Sequence, residues 1–501
     1  MAPIRKMLIV GGGTAGWMTA AWFSRSSKLP LEITLVESDD IGTVGVGEAT
    51  VPSFRRFNEI VGVNEDEMIR DTRATFKLAV EFVNWGAIGE RYYHPFGSNG
   101  RRYNGFPFHL VWLDSLLQGS GIPLSAYNLQ ALACDQAKFM RPTGENSPLA
   151  DITYALQFDA SLYARFLRRL SEGRGVKRVE GKITEVVQRD DGFVDAVVLD
   201  NGARLDADLF VDCSGFRSLL IGDTFKTPFI DWSHWLPCDR AVFTPSENHG
   251  PLLPYTRATA HTAGWQWRIP LQHRIGNGHV YASAFAGDEE ATGTLLENLD
   301  GKALAEPRFL KFRAGRRRDF WVKNCVAIGL SSGFLEPLES TSIYLIQGAI
   351  GRLQTLFPDM SFAQGEIDTF NRETIREIED IRDFLILHYK LTRRDDSDFW
   401  NHCRTMDVPD RLTERMALYA SFGRIYEESR EQFGQASWLA VMNGQGLRPR
   451  ASEPNIAGIN QAQGPEGIRQ WLGDMRQTIQ ACCDHMPSHE AFLRANNLYG
   501  A

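Results

Sequence analysis

Met7-Leu8-Ile9-Val10-Gly11-Gly12-Gly13-Thr14-Ala15-Gly16 decides the fold of this chain. Four apolar residues read as a short buried strand, and Ala15–Ser24 is apolar enough for a buried helix. Between them lies Gly-x-Gly-x-x-Gly. The first glycine permits a tight turn, the second lets backbone approach a pyrophosphate, and the third lets helix pack on strand. The helix N-terminus then favours the phosphate charge. A second strand, Leu31–Val36, ends at Glu37, about 20 residues beyond the last glycine, where an acidic side chain reaches ribose hydroxyls. The unit is a βαβ dinucleotide-binding motif. Arg5 and Lys6 ahead of the apolar run Met7–Phe23 imitate a signal peptide. The glycine spacing has no use in a leader, and no small-residue cleavage site follows, so the segment is read as part of the fold.

Around this unit the chain is ordinary for a globular protein. It has 501 residues, 43% hydrophobic and 23% charged, which excludes disordered, collagen-like and disulfide-scaffold classes. At ~150 residues per domain the length allows two or three folded units. Lys plus Arg number 54 against 62 for Asp plus Glu, a net charge of −8 that gives no global attraction to nucleic acid or to an anionic membrane. No stretch reaches the ~20 apolar residues of a membrane span. The seven cysteines are irregularly spaced and form no CxxC pair, so no metal site is expected. Reduced thiols in a cytoplasmic protein are the expected state.

The expected fold class is mixed α/β: a Rossmann-like unit with an interleaved sheet and a helical C-terminal part covering the substrate. Residues 1–350 read as the dinucleotide-binding module and 351–501 as a mainly helical region that is not autonomous. Gly42–Ser53 forms a second glycine-rich loop, Asn58–Phe82 has helical patches and contains Lys77, and residues 91–112 read as a structured loop. Val176–Asp212 alternates in short runs, with a hairpin at Asn201-Gly202. Trp265–Phe285 reads as strands with a turn at Gly276-Asn277-Gly278. Cys325–Leu330 reads as a buried strand, followed by Ser331-Ser332-Gly333 and a helix.

Ala207-Asp208-Leu209-Phe210-Val211-Asp212-Cys213-Ser214-Gly215-Phe216-Arg217-Ser218 resembles the closing strand and turn of FAD-dependent aromatic monooxygenases. So does Asn324-Cys325-Val326-Ala327-Ile328-Gly329-Leu330, a late strand that ends near the flavin in that fold. FAD is therefore favoured over a nicotinamide cofactor. Three further segments are more specific. Gly264-Trp265-Gln266-Trp267-Arg268-Ile269-Pro270 fits GWxWxIP, Phe334-Leu335-Glu336-Pro337-Leu338-Glu339-Ser340-Thr341 fits FxEPLEST, and Gly47-Glu48-Ala49-Thr50-Val51-Pro52 fits GEATVP. With Lys77 in Thr75-Phe76-Lys77-Leu78-Ala79, these segments resemble the flavin-dependent halogenases of the tryptophan-halogenase family.

That resemblance implies an enzyme in which FADH2 and O2 convert halide to hypohalous acid, which then halogenates an indole-like aromatic. It implies cofactor contacts at Gly11, Gly13, Thr14, Ala15, Gly16, Glu37, Gly47, Glu48, Ala49, Thr50 and Leu330. Trp265 and Trp267, two apart on one strand face, would screen the flavin from the substrate. Lys77 would take up hypohalous acid and deliver the halogen, by hydrogen bond or as a haloamine; flanking Phe76 and Leu78 would partly desolvate its amine. Glu339 would stabilise the ring cation, and Glu336 is a weaker candidate for the same role. Thr341 and Ser342 would bind halide through backbone amides, next to Ser340 at the substrate end. His94 and Phe96 would sandwich the substrate ring.

Two departures from the family pattern bear on specificity. Ser342 stands where the family has Gly, which points toward bromide. No Tyr-Tyr pair lies near Ser437-Trp438-Leu439-Ala440-Val441, so Trp438 would cover an indole without an amino-acid tail. No NAD(P)H motif is evident beyond the first glycine turn. A separate flavin reductase would then supply FADH2 by diffusion, and a homodimer is left open. The competing readings are an FAD-dependent aromatic hydroxylase and a non-catalytic flavoprotein.

Overall fold

The computed structural model describes residues 2–26, 30–40, 47–144, 147–428, 431–463 and 465–500, with the side chains of 460–463 left aside. Residues 42–46 of the second glycine-rich loop lie outside the described residues. A six-stranded sheet carries the N-terminal unit. Its order is Trp321–Val322, Cys325–Ala327, Leu209–Asp212, Lys6–Val10, Glu32–Glu37, Lys177–Glu180. All neighbours are parallel except the outer Trp321–Val322 strand. The helix Thr14–Ser26 follows the first strand directly. Gly11, Cys213 and Gly329 all leave parallel strands at the same edge, the carboxyl end where such sheets bind ligands.

The second large sheet has seven strands: Arg308–Lys311, Arg240–Ser246, Ile275–Tyr281, Gly264–Pro270, Tyr255–His261, Ala79–Val83, Arg91–Pro95. Its central strand Gly264–Pro270 alternates as the pleat requires. Trp265, Trp267 and Ile269 face a cavity, while Gln266 and Arg268 face away onto Asn298 and Asp300. A small antiparallel sheet of Gly47–Ala49, Ala155–Asp159 and Thr75–Lys77 lies across these two. The hairpin at Asn201-Gly202 forms as read, joining Val194–Leu199 to Arg204–Asp206.

The helical patches of Asn58–Phe82 are Ser53–Val61 and Glu65–Asp71; Lys77 follows them, with Arg73 at φ 55° and Thr75–Lys77 an edge strand. Three local readings change. Gly276-Asn277-Gly278 is not a turn but the interior of Ile275–Tyr281; the chain reverses at Leu271–Arg274 instead. A Cβ at Gly278 would lie 2.1 Å from the Trp267 ring, so glycine there makes room for an indole. Residues 91–112 supply the strand Arg91–Pro95 and the start of the helix Phe108–Leu117. No helix follows Gly333 at once: the short strand Gly333–Phe334 and a turn at Pro337–Glu339 intervene, and the helix begins at Ser342.

From Ser342 onward the described residues form helices and no strand. The longest, Gln364–Lys390, has seven consecutive buried residues, Asp383–Tyr389, because its last turns are driven into the core beneath the seven-stranded sheet. No helix among the described residues is long and apolar enough to cross a membrane.

Candidate active site

The glycine turn builds a cradle. Gly11 has φ 111°, and a Cβ there would meet the Cys213 carbonyl at 2.3 Å, so only glycine fits. A Cβ at Gly16 would lie 1.9 Å from the Gly11 carbonyl, which records the close packing of helix on strand. Gly13 has open space on its free side. Gly13, Thr14 and Ala15 line one end of a cavity of about 310 Å³, together with Gly329 and Leu330. Its lining also includes Gly47, Glu48 and Ala49, Trp265 and Trp267, and Ser340, Thr341 and Ser342. The open glycine turn, the helix N-terminus and the largely apolar walls fit an FAD, whose pyrophosphate the Gly11–Gly16 turn would hold. Glu37 frames the turn without lining the cavity. Its Oε1 accepts from Arg178 Nε at 2.5 Å, and its Oε2 lies against Gly12. The half-buried Glu48 carboxyl faces the cavity, and burial pushes it up to about 7.

Trp265 is held from behind. Its indole N–H donates to Glu336 Oε2 at 2.9 Å, and the Tyr389 hydroxyl donates to the same oxygen at 2.5 Å. Burial pushes the Glu336 carboxyl up to about 7, against those two hydrogen bonds. Glu336 therefore anchors the Trp265 indole, and both of its hydrogen bonds are spent on that wall rather than on Lys77.

Behind Ser340 lies a buried polar cluster around Lys77 and Glu339. Lys77 is fully buried, and its Nζ donates to the Thr50 carbonyl at 3.1 Å and to Ser340 Oγ at 2.7 Å, 5.2 Å above the Phe96 ring centre. Burial lowers its amine to about 7, with the charge of Glu339 opposing. No ion pair joins Lys77 to Glu339 among the described residues, so the two are not a simple buried salt bridge.

Glu339 is instead gripped by two imidazoles. His94 Nδ1 lies 2.9 Å from both carboxylate oxygens, and His388 Nε2 lies 2.9 Å from Oε1. Burial pushes the Glu339 carboxyl up, but the charge of His94 and the hydrogen bonds from both rings outweigh it and hold the group at about 2. The other nitrogen of His388, Nδ1, faces the Phe384 carbonyl at 2.8 Å, an acceptor only, so it must donate. His388 carries no motif; only the burial of a helix end beneath the site exposes its role.

His94 is thus a hydrogen-bonding partner of Glu339. It packs near Phe384 and Phe433, with centroids 5.7 and 6.0 Å away. Trp438 sits one aromatic layer behind: it meets Phe384 edge-on at 5.0 Å, its N–H donates to the Phe433 carbonyl, and the Arg415 guanidinium lies 4.5 Å above it. Phe433 and Phe384, stacked at 3.9 Å, are the rings nearer to His94.

A cavity with a glycine-turn cradle, walled by two indoles of which Trp265 is anchored, and separated by one serine from a buried lysine, fits a flavin-dependent enzyme. Residues 6–461 match the family model for tryptophan halogenases. The chain is 36% identical to the tryptophan 7-halogenase RebH of Lentzea aerocolonigenes, over 98% of each chain. A flavin-dependent halogenase from Xanthomonas campestris superposes with a TM-score of 0.95 at 43% identity, covering 100% of this chain and 99% of that one. The flavin-dependent halogenase BrvH from Brevundimonas sp. BAL3 gives 0.94 at 46%, covering 98% and 99%. The chain belongs to the tryptophan-halogenase family and is a flavin-dependent halogenase.

Proposed function

We propose that hypohalous acid made in the flavin cavity passes Ser340 to Lys77, which directs its halogen onto an indole-like aromatic lacking an amino-acid tail. Bound as FADH2, the flavin would supply two electrons that reduce one oxygen atom of O2 to water, while the other oxidises halide to hypohalous acid. The observation that carries the reading is Ser340: it lines the cavity, and its hydroxyl takes the hydrogen bond of a fully buried Lys77. An oxidant arriving there has not crossed bulk water.

Each residue then has a physical task. The first amides of the helix Ser342–Thr355 have no intrahelical partner and open on the cavity, which favours an anion. Lys77, near half-charged at neutral pH, either donates a hydrogen bond to the hypohalous oxygen or, as free amine, takes the halogen. The ring's π electrons attack the halogen. On the hydrogen-bond route hydroxide leaves with a proton from Lys77 as water; on the haloamine route water has already left and the Lys77 amine is the leaving group. Glu339, held ionised at about 2, offers a fixed negative charge that stabilises the ring cation and a carboxylate that accepts its proton. His94 and Phe96 flank the ring. Ser342 adds a half-buried side chain to the cavity wall, and bromide is the preferred halide. A separate cytoplasmic flavin reductase supplies FADH2.

The test combines the protein with FAD, a flavin reductase, NADH, O2, bromide and indole, and reads the product by mass spectrometry. Bromoindole is expected. Hydroxyindole without bromine, or unchanged indole despite hypobromous acid release, overturns the proposal, as does tryptophan turned over as fast as indole.

A further inference from the structure

The strand that carries Lys77 is an edge strand. Thr75–Lys77 pairs with Ala155–Asp159 on one side only, and the Phe76 N–H points the other way. Phe76 is fully buried, so water cannot satisfy that donor, and leaving it unpaired costs about 1–3 kcal/mol. Its partner comes from the far end of the chain. His489 Nε2 accepts the Phe76 N–H at 3.1 Å, and His489 Nδ1 donates to the Leu252 carbonyl at 3.2 Å. Two residues past Leu252, the Pro254 carbonyl takes the Leu78 N–H at 2.7 Å. One imidazole therefore ties the Lys77 strand to the loop leading into Tyr255–His261, and both backbone neighbours of Lys77 are fixed.

The tie is itself held. The His489 N–H donates to the Ala137 carbonyl at 2.8 Å, and the Phe139 N–H to the Pro487 carbonyl at 3.2 Å. Phe139 stacks on Phe76 at 3.9 Å. Gln272 Nε2 spans the Ala74 and Leu498 carbonyls at 2.6 and 3.0 Å. Burial lowers the imidazole to about 3, so His489 stays neutral and Nε2 stays an acceptor. His489 also lies beyond residue 461, where the family match ends.

We infer that His489 is a positioning residue for Lys77: through the Phe76 N–H, the C-terminal segment sets the amine's place opposite Ser340. This rests on the reading that Lys77 delivers the halogen. His489→Leu keeps bulk but removes the acceptor, whereas the side-chain amide of His489→Gln both accepts from Phe76 and donates to Leu252. Halogenated indole formed per hypohalous acid produced should fall about ten-fold in His489→Leu, with hypohalous acid production within about two-fold of wild type. His489→Gln should recover most of that yield. Equal loss of both outputs, or no recovery in Gln, marks a merely structural residue and overturns the inference. Amide hydrogen exchange on the wild type reads the same tie without a variant: Phe76 should open together with residues 487–495, and Phe76 exchange independent of that helix refutes it. Lys77→Met, run in parallel, separates the two claims. If it still makes halogenated indole, the Lys77 reading fails; if it does not, and His489→Leu keeps full yield, only the positioning role fails.

Discussion

Replacing Lys77 by Met should change how stability depends on pH, and the size of the change follows from burial. The amine sits at about 7 in the folded protein against an ordinary value of 10.5. Between those values the unfolded chain holds a proton that the folded chain has lost. Folding therefore releases a proton, and wild-type stability rises with pH across that window. The slope is about 1.4 kcal/mol per pH unit, roughly 5 kcal/mol over the whole window. Lys77→Met lacks the titration. It also leaves the Thr50 carbonyl and Ser340 hydroxyl without their donor, but that loss is a constant offset and does not alter the slope. Urea unfolding of both proteins at intervals from pH 7 to 9.5 gives the difference directly, and every titration they share cancels. Wild type should gain on Lys77→Met steadily as pH rises, with the difference flat below 7. Parallel curves from 7 to 9.5 would mean that the amine keeps its proton in the fold, and the desolvation argument would be wrong.

His388→Phe removes one charge-assisted hydrogen bond from Glu339, worth about 1.5–3 kcal/mol, so the carboxyl should climb by about one pH unit or more. The acid limb of the kcat profile for halogenation should move up accordingly, and an unmoved limb argues against the two-imidazole grip. Gly278→Ala would drive a Cβ into the Trp267 ring and tilt the flavin screen. Mass spectrometry should then find oxygen incorporated into indole at the expense of halogen, and an unchanged product ratio would show that Trp267 screens nothing. Ser342→Gly should shift competition between equal bromide and chloride toward chloride, measured as the ratio of the two haloindoles. A wild type that makes mostly chloroindole would already refute the bromide assignment.

What was legible in the sequence was local. Gly11, Gly13 and Gly16 lie within six residues, and Trp265 and Trp267 are two apart, so spacing alone places them on a turn and on one strand face. Gly276 and Gly278 misled because they serve packing: Gly278 yields to the Trp267 ring and Gly276 to the Gly47 backbone, so a glycine pair that reads as a turn is strand interior. The strand of Lys77 had no sequence signal, because it is three residues long, follows two helices and is set by tertiary pairing to Ala155–Asp159. His388 and His489 were not singled out. Their partners lie 49 and 413 residues away, beyond the reach of any periodicity, and each looks like a lone histidine on an apolar helix. Glu339 could be read as a carboxylate near the substrate, but its ionisation depends on two rings that only the fold brings together.

The account stands on Lys77 as the carrier of the halogen, and hypohalous acid release measured beside halogenated indole in Lys77→Met tests it most directly. Hypohalous acid should form at close to the wild-type rate, because the flavin cavity ends at Ser340 and does not include Lys77, while halogenated indole disappears. Halogenated indole at an undiminished yield from the variant would contradict the account.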